Sequence, residues 1–195
     1  LLREYIRELL SESVIDPKIM SMIDRVENEG LIIDISSYSG GGFGSVEIED
    51  ASGNRLGGVD YQKPDWTDGF CYGAMMVAGS EAQGGLGPLL YDIAIEATGG
   101  LMSDRSEVSG EAEAVWDRYM SSRPDVRVVQ LDITEDFEEP QLTPNDKSDD
   151  CSQVPAYDRH GKKWFESSLA KKYMKKTLVL KINWFELGKI ALKKP

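Results

Sequence analysis

A mixed α+β domain is the fold class this sequence predicts, with a largely antiparallel central sheet flanked by helices, two helices ahead of it and a basic extension behind. Three observations lead there. The apolar period changes from helical to alternating near Gly30, glycine-rich turns then separate short apolar segments, and helical and strand patterns interchange until Leu131. Leu1, Leu2, Tyr5, Ile6, Leu9 and Leu10 recur at helical spacing among Arg and Glu, which predicts an amphipathic helix over Leu1–Glu12. Asp16-Pro17 offers a second helix start, and Ile19, Met22, Ile23 and Val26 form its apolar stripe until Gly30 stops it.

Strands are expected over Leu31–Ile35 and Phe43–Glu49, a turn at Ala51–Asn54, and a further strand over Arg55–Tyr61. Phe70–Ala78 reads as a more buried strand, followed by Gly84-Gly85-Leu86-Gly87-Pro88 and a helix over Leu89–Ala97. Ser109 suits the N-cap of a helix reaching about Met120, with Ala112, Val115, Trp116 and Tyr119 on one face. Val126–Leu131 is a strand, Thr177–Ile182 a late strand, and Trp184–Lys194 a short terminal helix. Asp132–Asp150 holds eight acidic residues, Lys147 and two prolines, and is expected to be an exposed, partly disordered loop. The predicted units are therefore N-terminal helices (1–30), a core (31–131), an acidic loop (132–158) and a basic aromatic extension (159–195) that completes the fold.

The net charge of −12 is unevenly placed: residues 159–195 hold 11 Lys/Arg against Glu166 and Glu186. That segment is +9 and the rest of the chain −21, so the two parts attract. Aromatic residues Trp164, Phe165, Tyr173, Trp184 and Phe185 among these lysines suit docking onto the acidic body better than stacking on bases, and nucleic acid is not the expected partner. No apolar run approaches the roughly 20 residues of a membrane span. Arg3, Glu4, Arg7 and Glu8 interrupt the apolar run a signal peptide needs, so a soluble cytoplasmic protein is expected. Cys71 and Cys151 are too few for a disulfide framework, Cys71 is expected to be an inert core thiol in a reducing compartment, and with His160 alone no metal site is predicted.

A strand, a glycine turn and a helix make an anion site, because amides at the helix start point outward, the helix dipole favours negative charge, and glycine admits close approach. A second cluster, Ser39–Gly44, is expected to be a hairpin connection. The run Ala74-Met75-Met76-Val77-Ala78, then Gly85-Leu86-Gly87-Pro88-Leu89-Leu90 with Ala94 and Ala97, is similar to the core motif of the GNAT acetyltransferase superfamily. Gly99–Asp104 matches that family's short fifth strand, and Ala112-x-x-Val115-Trp116 its next helix; the resemblance covers roughly residues 31–131.

The resemblance implies a GNAT-like fold whose two central strands splay around acetyl-CoA, with the pyrophosphate held by backbone amides of Gln83, Gly84, Gly85, Leu86 and Gly87. It implies transfer of an acetyl group to an amine acceptor, with a carboxylate base and an acid for the departing thiolate. Two positions depart from the family pattern: Ala82 stands where Arg or Gln opens the turn, and Trp116 where the acid tyrosine is found. Tyr119, three residues on, is the candidate acid; Glu81 is the candidate base, with Asp60 and Asp104 as alternatives. The alternative is a non-catalytic GNAT-like structural or binding protein. The opening helix, divergent core and aromatic-basic tail look like proteins of tailed bacteriophages, which implies virion assembly or a protein partner and a place in the bacterial host's cytoplasm or the virion. His160, in the polar stretch Asp158–Lys162, is expected to be exposed and outside the chemistry.

Overall fold

Asp16 begins the described part of the computed structural model, which covers residues 16–37, 42–64, 71, 74–134, 141–176 and 190–191. The predicted opening helix Leu1–Glu12 lies outside these residues, as does the predicted strand Thr177–Ile182. The Asp16 carboxylate accepts the Lys18 amide at 2.8 Å and caps α1 (Pro17–Glu29), which buries Ile19, Met22 and Val26 and ends at Gly30. The stripe and both stops stand where the sequence puts them.

Three strands then form an antiparallel meander: β1 (Ile32–Ser37), β2 (Phe43–Glu49) and β3 (Arg55–Gln62). Val46, Ile48, Val59 and Tyr61 alternate inward toward the helices, as period two requires. The next strand corrects the sequence reading: β4 is Met75–Ala82, not Phe70–Ala78, because Gly79 to Ala82 continue the ladder against Asp60 to Gly57. The chain passes through the glycine turn into α2 (Gly87–Thr98), then β5 (Leu101–Met102), α3 (Gly110–Ser122) and β6 (Val126–Gln130). The short strand within Gly99–Asp104 and the Ser109 cap, whose hydroxyl accepts the Ala112 amide at 3.2 Å, agree with expectation.

The acidic segment is more ordered than its composition suggests. β7 (Asp132–Ile133) and β8 (Asp150–Cys151) pair in parallel, and Asp132 is fully buried. Its carboxylate accepts the amides of Ile133, Leu142 and Thr143 and the Thr143 hydroxyl. Burial disfavours that charge, but these donors outweigh it and hold the carboxyl below its usual range. A charged residue satisfied by local amides behaves as a turn former, which net charge alone does not reveal.

After α4 (Val154–His160) and two short 3-10 helices, Gly161–Glu166 and Ser168–Ala170, comes β9 (Lys171–Lys175). The predicted terminal helix is corrected at Ile190–Ala191, which form β10 and pair with β1. The sheet order is β10-β1-β2-β3-β4-β5-β9-β6, antiparallel throughout except for β4 against β5. The basic extension thus supplies an interior strand, next to the edge strand β6 of an α+β sheet, where Tyr173 is fully buried. Lys171 sits half in the fold, and burial lowers its pKa.

Beneath the helices runs a buried ionic network. Arg123 donates to both oxygens of Asp92 at 2.8 and 2.7 Å and to Asp125 at 2.9 and 2.7 Å. Lys175 lies 2.8 Å from each of the same carboxylates. Arg118 reaches Asp16 at 2.6 Å, so α1, α2, α3 and β9 meet at one cluster of opposite charges.

The two cysteines are joined, which overturns the expectation of free thiols. Cys71 and Cys151 form a disulfide with Cα atoms 4.7 Å apart, although 80 positions separate them in sequence. The topology explains the pairing. The approach to β4 and the end of β8 converge on a small apolar cluster with Ala74, Met102 and Leu131.

Candidate functional site

β4 and β5 pair only at Met75↔Leu101 and Met76↔Met102. Beyond Met76, β4 continues to Ala82 while no described strand pairs with its β5-facing side. The β3–β4 register slips where Asp60 faces Gly79 and Tyr61 faces Val77, which leaves Ala78 as a bulge. Strand β5 therefore ends beside Met76, and among the described residues the same edge of β4 stays open from there to the glycine turn.

At the open end, Gly84 and Gly85 take φ of 59° and 77°, a left-handed conformation that favours glycine. No side chain caps α2. Among the described residues, no acceptor is found for the amides of Gly84, Gly85 or Gly87. The other two amides assigned from sequence are occupied: Gln83 donates to the Leu56 carbonyl at 2.9 Å and Leu86 to the Gln83 carbonyl at 3.3 Å. Leu86 is itself buried, and Pro88 has no N–H to give. The candidate anion site thus narrows to three glycine amides.

Sequence reasoning missed the cation beside them. Arg25 of α1 donates to the Gly84 carbonyl at 2.5 Å and to Glu29 at 2.8 Å. A Cβ placed on Gly84 would lie 2.9 Å from the same guanidinium, so the arginine packs directly on the turn. Its only sequence signal is the i,i+4 pair with Glu29, which says nothing about a turn 59 residues away.

The candidate acid and base are not brought together. Glu81, two-thirds exposed on β4, pairs with Arg55 at 2.9 Å; Asp60 lies 3.9 Å from the same guanidinium, beside the bulge. Asp104 accepts the amides of Ser106 and Glu107 and serves as a turn cap. Tyr119 is buried; its hydroxyl donates to Asp92 and lies 3.3 Å from the Pro88 carbonyl. Burial foremost, and then the Asp92 charge, raise its pKa well above that of a free phenol. Trp116 is buried too, stacked on Tyr173 at 5.0 Å and edge-on to Tyr91 at 5.2 Å. His160 ends α4, exposed, 3.3 Å from Glu113.

Asp132, Asp149 and Asp150 bring carboxylate oxygens within 4.8 Å of one another. Thr143 donates to both Asp132 and Asp149, and Lys147 lies 3.6 Å from Asp150, so hydrogen bonds and a lysine already account for the grouping.

A comparison with known protein families finds no matching model, and one with characterised proteins finds no matching sequence. No described helix is long and apolar enough to cross a membrane.

Proposed function

We propose that the chain is a divergent GNAT-like protein that binds acetyl-CoA at the turn after β4 and transfers the acetyl group to an amine. One observation carries this reading: among the described residues three glycine amides without acceptors lead into α2 beside Arg25, at the end of the open edge of β4. Two negative charges of a pyrophosphate match three unspent N–H donors, a helix dipole and a guanidinium. Arg25 supplies from α1 the positive charge that Ala82 does not supply from the turn itself. The β5-facing backbone of β4 beyond Met76 gives an extended amide chain such as pantetheine a strand edge to pair with.

In that reading an amine enters beside the Ala78 bulge and attacks the thioester carbonyl. Asp60 or Glu81 takes the amine proton, and the coenzyme leaves as a thiolate. Tyr119 stays in the core and holds Asp92. Proton return to the thiolate then falls to solvent.

Calorimetry with acetyl-CoA tests the reading. Saturable micromolar binding is expected, weakened at least about tenfold in Gly85→Asp and little changed in Gly85→Asn. Both side chains tolerate the left-handed backbone, so their difference isolates charge. Arg25→Ala is expected to weaken binding several-fold, with partial recovery in Arg25→Lys. Absence of binding by the unaltered protein overturns the reading.

A second reading, a binding or structural protein on the same scaffold with a place in a phage virion, is favoured by the burial of Tyr119 and Trp116. Binding without turnover of any amine tested would select it.

A further inference from the structure

The sheet has a seam. One part, β10 to β4, and the other, β5-β9-β6, meet through only the two residue pairs of β4 and β5. On one face α2 covers this junction, with Met75 and Leu101 turned into the main core. On the other face Met76 and Met102 point into a separate apolar cluster made by Cys71, Ala74, Leu131 and Cys151. The disulfide lies in that cluster. Cys71 is on the approach to β4, while Cys151 belongs to β8 and places its sulfur 3.6 Å from the Met102 sulfur on β5. The bond therefore joins chain from the two sides of the seam, beside the paired residues Met76 and Met102.

We infer that the Cys71–Cys151 disulfide is a redox-controlled clasp on the β4–β5 seam, and that its reduction loosens this junction ahead of the rest of the sheet. The inference does not depend on what binds at the glycine turn. Two hydrogen-bonded residue pairs give the seam little of its own to resist separation, whereas β2 and β3 are laced along their whole length. A protein or small-molecule dithiol is the reductant. Its thiolate attacks the Cys71 sulfur, since Cys71 retains slight exposure and Cys151 has none. The electron pair of the S–S bond leaves on Cys151, which takes up a proton. The second thiol of the reductant, losing its proton, then displaces Cys71 as a thiolate, which is protonated in turn; the two cysteines are reduced and the dithiol ends as its own disulfide.

Hydrogen exchange on the unaltered protein, with and without dithiothreitol, tests this. The Met75 amide, which donates to the Gly100 carbonyl across the seam at 3.0 Å, and that of Met102 report on the junction; Val46 and Val59 report on the meander. Reduction is expected to lower protection at the seam at least about tenfold more than at the meander. The unreduced double variant Cys71→Ser/Cys151→Ser should match the reduced protein. Equal losses at all four amides, including complete unfolding on reduction, or no loss at any, overturn the inference. So does a thiol assay on the denatured, unreduced protein that finds both cysteines free.

Discussion

Arg123 shows how much a single side chain carries here. Burial works against its charge, yet the hydrogen bonds to Asp125 and Asp92 prevail and raise its pKa. Removing it leaves two carboxylates in the core with Lys175 as the one cation still hydrogen-bonded to them among the described residues. Arg123→Met is therefore expected to cost about 3–5 kcal/mol, read from urea unfolding. Asp125 responds to acid: burial would raise its pKa, but Arg123 and Lys175 lower it to about 2. A folded pKa below the unfolded value means that this contribution is complete above about pH 4. It is lost as pH falls toward 2. Asp125→Asn should be less stable at neutral pH and show a flatter stability profile between pH 4 and 2 in the same urea series. Tyr119→Phe tests a structural tyrosine: a loss of about 1–2 kcal/mol with acetyl-CoA affinity unchanged is expected, measured by unfolding and calorimetry. Some of this was legible. An aspartate inside Leu89-Leu90-Tyr91-Asp92-Ile93-Ala94-Ile95 stands on a helix apolar nearly all round, which demands a buried partner. Which cations answer it is a fact of three dimensions, and Arg123 and Lys175 carry no local mark.

Helices announced themselves better than strands did. Asp16-Pro17, Ser109 and Gly30 are local signals with local causes, and α1 and α3 begin and end within two residues of where those signals stand. Asp16→Ala should cost about 1–2 kcal/mol, because the cap and the partner of Arg118 go together; thermal unfolding measures it. β4 was misplaced for a physical reason. The apolar run ending at Val77 marks where the strand is buried, but Gly79-Ser80-Glu81-Ala82 extends it through backbone pairing with β3, to which hydropathy is blind. The misplacement matters for the candidate site. Ala82 lies on the strand rather than in the turn, the Gln83 amide is spent on Leu56, and among the described residues of the turn only the glycine amides lack an acceptor. Ile190–Ala191 fails in the opposite sense. These two residues of the predicted terminal helix form a strand because the edge of β1 is available to pair with them.

At the scale of the molecule, the uneven charge has a plain structural use. The basic segment is woven in: Lys175 neutralises Asp92 and Asp125, Arg159 ties to Glu113, and Lys171 bonds Gln130 and the Phe165 carbonyl. Self-attraction between an acidic body and a basic segment was legible in composition; the destination of each lysine was not. The α+β class and most elements from β1 to β6 followed from periodicity and turn signals, with the short β5 coming from the resemblance, whereas the disulfide depended on two segments meeting that no spacing rule relates. By the chain-entropy account a cross-link over a loop of this length is worth roughly 4 kcal/mol. The Cys71→Ser/Cys151→Ser variant should therefore melt on the order of 10 °C lower in calorimetry.

β9 lies between β5 and β6 yet follows both in sequence. A ribosome delivers the two flanking strands first and the one that joins them later, so the growing chain spends a period with a slot open in its sheet and the Tyr173 position of the core unfilled. During synthesis the nascent protein is an acidic, incomplete scaffold awaiting its basic closing piece. A chain ending before Lys171 would expose two unpaired strand edges, the signature by which quality-control chaperones and proteases select their clients.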